Sequence, residues 1–239
     1  MPKNPLDRRS DLSRPLDELH ANERLKHRSR FLRGTILESL ADPLTGAIDE
    51  ADTQLTKFFG IYQQDHRDLR DDRRRAKLEP RYQFMVRVRM PGGVCTPQQW
   101  LALDALAREN ADGTLRLTSR QTFQFHGVRK RRLTRHVRGI IESGLDTLAA
   151  CGDDTRNVIA TANPLLSPVH GEVSALARRV GEYLLPRTGA YREIFLDQAP
   201  ITDDREEEPL YGRTYLPRKF KIAFTVPPQN DVDVYAHDL

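Results

Sequence analysis

The sequence predicts an α+β fold: a ferredoxin-like β-α-β-β-α-β half-domain over residues 81–150, followed by the start of a mixed α/β domain over 151–239. Three observations carry this prediction. Apolar and basic residues alternate over 83–90 (QFMVRVRM) and 219–226 (KFKIAFTV), the pattern of half-buried strands. Amphipathic runs with helix-start and helix-stop residues follow Thr96 and span 133–143. Their order along the chain is that of one ferredoxin-like unit.

Element by element, residues 1–21 read as a disordered arm, since Pro2, Pro5 and Pro15 interrupt a charged stretch with few apolar anchors. Residues 22–80 read as an N-terminal helical extension. It begins with a helix over 22–40 that sets Leu25, Leu32, Ile36 and Leu40 near one face. A short strand over 55–62 (LTKFFGIY) follows. The mixed-charge run 63–77 is a solvated helix or linker, because opposite charges three and four apart support a helix.

Within 81–150, the first strand places Phe84, Val86 and Val88 on one face and Arg87 and Arg89 on the other, until Pro91-Gly92-Gly93 stops it. Thr96-Pro97-Gln98-Gln99 then supplies a cap hydroxyl, a first-turn proline and a capping-box glutamine, for a helix directing Trp100, Leu103 and Leu106 inward. Strands at 115–119 and 122–126 flank a turn at Arg120-Gln121. The helix over 133–143 presents Leu133, Val137, Ile140 and Ile141, with Gly144 as its stop. A short strand at 147–149 closes the unit.

Beyond Cys151 the pattern predicts a strand at 157–161 and a helix at 172–185. That helix carries Val173, Leu176, Ala177, Val180 and Leu184 on one face and ends at Pro186. A strand at 192–196 and an acidic loop at 199–209 come next. The strand at 219–226 then turns Phe220, Ile222, Phe224 and Val226 inward, with Lys219 and Lys221 opposite. After Pro227-Pro228 no closing element is expected.

Composition narrows the function classes. Apolar residues make up 38% and charged residues 30%, and 38 basic against 34 acidic side chains leave a net charge of only +4. That balance does not call for nucleic acid. The basic runs at 73–75 and 129–132 are interrupted by acids or lie at a helix start. There is no run of about 18 apolar residues and no apolar signal core, so the cytoplasm is the expected compartment, with no membrane attachment. The two cysteines, Cys95 and Cys151, have no metal or redox spacing, the histidines form no ligand set, and no phosphate-loop, GxGxxG or GxSxG pattern occurs.

What stands out is cations on strands: Arg87 with Arg89, Arg116 with Arg120, Arg156, and Lys219 with Lys221. Arginine and lysine are poor sheet formers unless their charge is answered. If these strands share a surface, the crowding is relieved by an anion among them. Arginine suits carboxylate forks and lysine a compact oxyanion. His126, between Phe125 and Gly127, reads first as a structural histidine.

The stretch 115–127, LRLTSRQTFQFHG, closely resembles the siroheme-binding motif of assimilatory sulfite and nitrite reductases. GIYQQDHRDLR at 60–70, LEPR at 78–81, PGG at 91–93, RNV at 156–158, LPR at 185–187, LDQ at 196–198, TYLPRKFK at 214–221 and PPQND at 227–231 narrow the resemblance to haemoprotein (beta) subunits of NADPH-dependent sulfite reductases. The resemblance implies six-electron reduction of sulfite to sulfide, in sulfate assimilation and cysteine biosynthesis, at a siroheme coupled through a cysteine sulfur to a 4Fe-4S cluster. It implies that the 151–239 unit starts a siroheme-binding domain. Carried over by position, Arg87, Arg156, Lys219 and Lys221 would surround sulfite, while Arg116, Thr118, Arg120, Gln124 and His126 would lie along the siroheme. The cluster cysteines are expected in a second half not contained in this sequence, which alone would be inactive. The implied partner is a flavoprotein (alpha) subunit passing electrons from NADPH, with the arm and the 63–77 run as candidate contacts. A ferredoxin-type nitrite reductase of the same fold is the alternative.

Overall fold

The computed structural model describes residues 13–200 and 206–239. The expectation of a disordered arm falls partly outside them; within them, a 3-10 turn at Leu16–Glu18 leads to Leu19, which is buried. The helix expected over 22–40 is two helices, α1 (Ala21–Arg28) and α2 (Ile36–Ala41). Between them Arg30, Phe31, Leu32 and Gly34 adopt positive φ, a tight reversal that buries Phe31 and Leu32. Asp52 holds the restart, accepting from Thr35 N at 3.0 Å, Thr35 Oγ1 at 2.9 Å and Ser39 Oγ at 2.5 Å.

Asp52 belongs to α3 (Glu50–Leu55), which runs through a 3-10 turn into Gly60. The strand expected at 55–62 therefore begins only at β1 (Ile61–Asp65), and the mixed-charge run divides between β1, a 3-10 turn and α4 (Arg70–Arg75). Gly60 has φ +73°, and an added Cβ would lie 2.6 Å from Thr147 O and 2.7 Å from Arg87 O. Neither backbone oxygen can swing aside. Gly60→Ala is expected to lower unfolding stability by about 2 kcal/mol or more, read from urea denaturation. A variant as stable as the parent would show that this junction yields.

β2 (Tyr82–Arg87), α5 (Pro97–Asn110), β3 (Arg116–Leu117), β4 (Phe123–Val128) and α6 (Lys130–Glu142) follow the predicted order. They form, with β1, an antiparallel four-stranded sheet in the order β1-β2-β4-β3. Phe84, Val86 and Phe125 turn to one side, where Leu103 of α5 and Leu133, Val137 and Ile140 of α6 complete the core. The capping box is formed: Thr96 Oγ1 accepts from Gln99 N at 3.2 Å, and Gln99 Oε1 accepts from Thr96 N at 2.9 Å. Trp100, expected inward, is instead 45% exposed and covers the rim edge-on to Phe123.

The closing strand expected at 147–149 is reduced to a single bridge between Asp146 and Arg89. The reason lies in the backbone donors of the neighbouring strand: Arg87 N donates to Gly60 O and Arg89 N to Asp146 O, so one edge is shared by β1 and residue 146. The α+β class and the ferredoxin-like half-domain stand.

The second unit contains β5 (Ile159–Ala160), α7 (Pro168–Tyr183), α8 (Ala190–Leu196) and β6 (Ala223–Phe224). β5 and β6 pair in parallel, and Ala177 of α7 packs on Val158, Ala160 and Ile222. Leu176 and Phe220, expected inward, are both exposed. The strand expected at 192–196 is α8. Its buried residues Ala190, Tyr191, Ile194 and Phe195 recur at helical spacing, which a short apolar run read alone does not distinguish from a strand. The final segment does close: Ala223 N donates to Leu239 O at 2.9 Å, Lys221 N to Asp238 Oδ2 at 2.7 Å, and Val232 is buried. Among the described residues no helix is long and apolar enough to cross a membrane.

Candidate anion site

One face of the sheet packs on the helices; the other carries charge. Arg87 lies opposite Gln124, and Gln124 opposite Arg116, so three neighbouring strands set these side chains abreast. His126, two residues along β4, stands on the same face. Hydrogen bonding favours the Gln124 amide turned with its oxygen to Arg87 Nε (3.0 Å) and its nitrogen to His126 Nε2 (3.2 Å). Burial, then the charge of Arg116, holds His126 below the usual histidine pKa, which favours the neutral ring.

The turn after β3 positions Arg120. Thr118 Oγ1 accepts from Arg120 N at 3.2 Å, Gln121 takes positive φ, and the Gln121 side chain clamps Ala160 of β5 through N and O. The Arg120 guanidinium donates through Nη2 to Asn157 O, and Asn157 Nδ2 returns a bond to Arg120 O at 2.8 Å. Nε and Nη1 of Arg120 are buried without a hydrogen-bond partner. Burial first, then Arg156 and Arg87, pushes its pKa down to about 10. A buried guanidinium facing like charges with two free N–H groups is an unfinished anion contact.

Arg156 is anchored by the backbone of its own unit. Its N donates to Phe220 O at 2.8 Å, and its Nε to Gly152 O at 2.7 Å. Lys219, beside it, is held below the usual lysine pKa by burial, then by Arg156, Arg218 and Lys221. Lys221 donates through Nζ to Ala236 O. The fold thus gathers Arg87, Arg120, Arg156, Lys219 and Lys221. It leaves Arg116 at the rim, 56% exposed and 3.5 Å from Asp112, and uses Thr118 to shape the turn. Arg89 is removed from the set: it is 2% exposed, and its guanidinium donates to Ala149 O, Thr155 O and Gly181 O.

Residues that sequence reasoning passed over also border the site. Lys57 lies 5.7 Å from the centre of the Tyr62 ring, and burial first, then the neighbouring Cys151, raises the Tyr62 pKa. A cavity of about 240 Å³ is lined by Lys57, Tyr62, Gly152, Asp153 and Arg156. Tyr62 was detectable as the alternate residue of β1; nothing in the sequence marks Lys57. A cavity of about 690 Å³ between α6, α7 and α8 contains none of the five gathered cations.

Iron–sulfur ligation does not fit these residues. The chain has only Cys95 and Cys151, and Cys151 is fully buried. Among the described residues no group of three or more His, Cys, Asp or Glu side chains could hold a metal ion. A cluster of this kind needs about four thiolates.

Two family profiles match the chain and together cover more than half of it. They are the nitrite/sulfite reductase ferredoxin-like half domain at residues 76–142 and the nitrite and sulphite reductase 4Fe-4S domain at residues 178–239. The chain belongs to the nitrite and sulfite reductase family. Among its family relatives, the sulfite reductase (NADPH) hemoprotein beta-component of Nitrobacter winogradskyi is 59% identical over 233 residues, covering 98% of this chain and 40% of that protein. The protein of the same name from Afipia carboxidovorans is 60% identical over 240 residues, covering 98% and 41%. The solved structure of Mycobacterium tuberculosis NirA protein superposes with a TM-score of 0.55 at 25% identity, over 89% of this chain and 36% of that one. The chain thus spans about two fifths of the length of these curated relatives. The half-domain profile contains Arg87, Arg116, Arg120, Gln124 and His126, and the second profile contains Lys219 and Lys221.

Proposed function

We propose that the chain forms the cationic wall of the siroheme and sulfite site in an NADPH-dependent sulfite reductase haemoprotein. The observation that carries the reading is the buried Arg120 guanidinium, with two N–H groups unanswered, in the field of Arg87 and Arg156. A macrocycle rich in carboxylates supplies the missing acceptors, with Arg116 and Arg120 as forks, Gln124 and His126 as neutral contacts and Thr118 fixing the turn. Arg87, Arg156, Lys219 and Lys221 then face sulfite, where their charges stabilise negative oxygen as S–O bonds break. Siroheme, when bound, supplies the electron path, and the protein positions the anion against it.

The 4Fe-4S cluster takes its cysteines from polypeptide other than these residues, and electrons come from a flavoprotein partner in the cytoplasm. The names of the relatives at 59% and 60% identity favour sulfite over nitrite. The test is siroheme content and sulfite turnover of the intact enzyme carrying this chain. A siroheme absorption band with reductant-dependent sulfide release is expected, and a haem-free protein with no sulfite turnover would overturn the reading.

A further inference from the structure

Behind Arg156 lies a carboxyl group that the proposed chemistry does not use. Asp154 is 0% exposed, and neither of its oxygens receives a hydrogen bond from another residue. Its Oδ1 is 4.0 Å from Arg156 Nε. Its backbone oxygen accepts from Phe220 N at 2.9 Å, so it is fixed to the segment bearing Lys219 and Lys221. Charged and titratable groups face it from several sides. Asp153, Cys151 and Arg156 belong to its own segment, and Arg89 enters from beyond β2. Tyr211 and Tyr215 close the third side, with Glu206 and Glu208 behind Tyr215. Arg89 gives its Nη1 and Nη2 donors to three backbone carbonyls.

We propose that Asp154 is a positioning residue for Arg156 and that its proton sets how tightly Arg156 holds the substrate oxyanion. With the proton on, the guanidinium has no carboxylate to answer, and its charge is directed to the anion. With the proton off, a carboxylate 4.0 Å away draws the guanidinium into an ion pair and cancels much of that field. Burial raises the Asp154 pKa to about 8, with Arg156 and Arg89 opposing it. The sign follows: the oxyanion is held more weakly as pH rises through that value.

This inference rests on reading the cations as an oxyanion site, and the experiment separates the two. Sulfate serves as the probe because it stays doubly charged throughout the window, so any slope comes from the protein. Its binding to the intact enzyme is titrated by calorimetry at about pH 7 and about pH 9. Wild type is expected to lose about tenfold in affinity across this interval. Asp154→Asn is expected to lose clearly less affinity than wild type over the same interval, and Arg156→Gln to bind weakly with no steeper slope than Asp154→Asn. Lys219, whose own titration contributes at high pH, is common to wild type and Asp154→Asn, so the difference between them isolates Asp154. An Asp154→Asn profile parallel to wild type overturns the inference while leaving the site. If that variant does not fold, a wild-type slope retained in Arg156→Gln overturns it instead. Wild type that takes up no sulfate at either pH overturns the site, and this inference with it.

Discussion

Replacing Lys219 with alanine is expected to reduce sulfite turnover by about two to three orders of magnitude while siroheme stays bound. The separation follows from where each cation sits. Arg120 is anchored through Asn157 and the Gln121 clamp on β5, and Arg116 stands at the rim of β3; neither depends on Lys219. Lys219 instead lies beside Arg156 on the segment that β6 and the returning C-terminus hold in place. Its neighbours Arg156, Arg218 and Lys221 raise the cost of its charge, and Asp238 offsets this only in part. Charge maintained under those conditions is poised to strengthen contact with an oxygen that becomes more negative as the reaction proceeds. The measurement pairs the siroheme absorption of Lys219→Ala with its sulfide production. Normal turnover would remove Lys219 from the site, and loss of siroheme would assign it to cofactor binding instead. Lys219→Arg, which keeps the charge but replaces a compact ammonium with a fork, is expected to recover only part of the rate.

Period-two reasoning worked where strands are real and one face is open. Arg87, Gln124 and His126 stand together on the uncovered side of the sheet because β2 and β4 continue through them. The same alternation misplaces Arg89. β2 ends at Arg87, and from there the chain is covered by residues 146–155 and by Gly181 of α7, which turn an expected surface cation into a buried one. That covering is tertiary, and no local pattern contains it. Lys57 and Tyr62 escaped because the fourth strand of the sheet comes from before the half-domain, not from its end. Asp154 escaped for a similar reason. In the sequence it is one acid among several, and only the packing of Arg89, Tyr211 and Tyr215 around it makes it a dry carboxyl.

The largest stability effect is expected at Arg33, far from any sulfite contact. Its Nε donates to Glu193 Oε2 at 2.7 Å, and its Nη2 reaches Glu193 Oε1 at 2.5 Å and Glu206 Oε2 at 2.6 Å. The Glu193 and Glu206 side chains are 5% and 1% exposed, so one guanidinium compensates two dry carboxylates, and these partners hold its pKa above the usual arginine value against the opposing effect of burial. Arg33→Met keeps the apolar stem and removes the charge. It should lower unfolding stability by about 3–5 kcal/mol, since breaking a buried pair leaves its carboxylates facing each other. Adding Glu193→Gln and Glu206→Gln to the same chain should recover much of the loss, because replacing a whole buried network is far less damaging than removing its centre. Urea denaturation of the single and triple variants decides the matter: a loss below about 1 kcal/mol in Arg33→Met would show the network to be well solvated. The consequence extends to chemistry. Glu206 accepts from Gly189 N at the start of α8, and Thr188 Oγ1 donates to Phe31 O beside Arg33. Releasing Arg33 therefore loosens α8 and the segment from Glu206 through Tyr215 that leads into Lys219. Arg33→Met is accordingly expected to weaken anion binding at temperatures where its global fold still holds, an effect the triple variant should reverse.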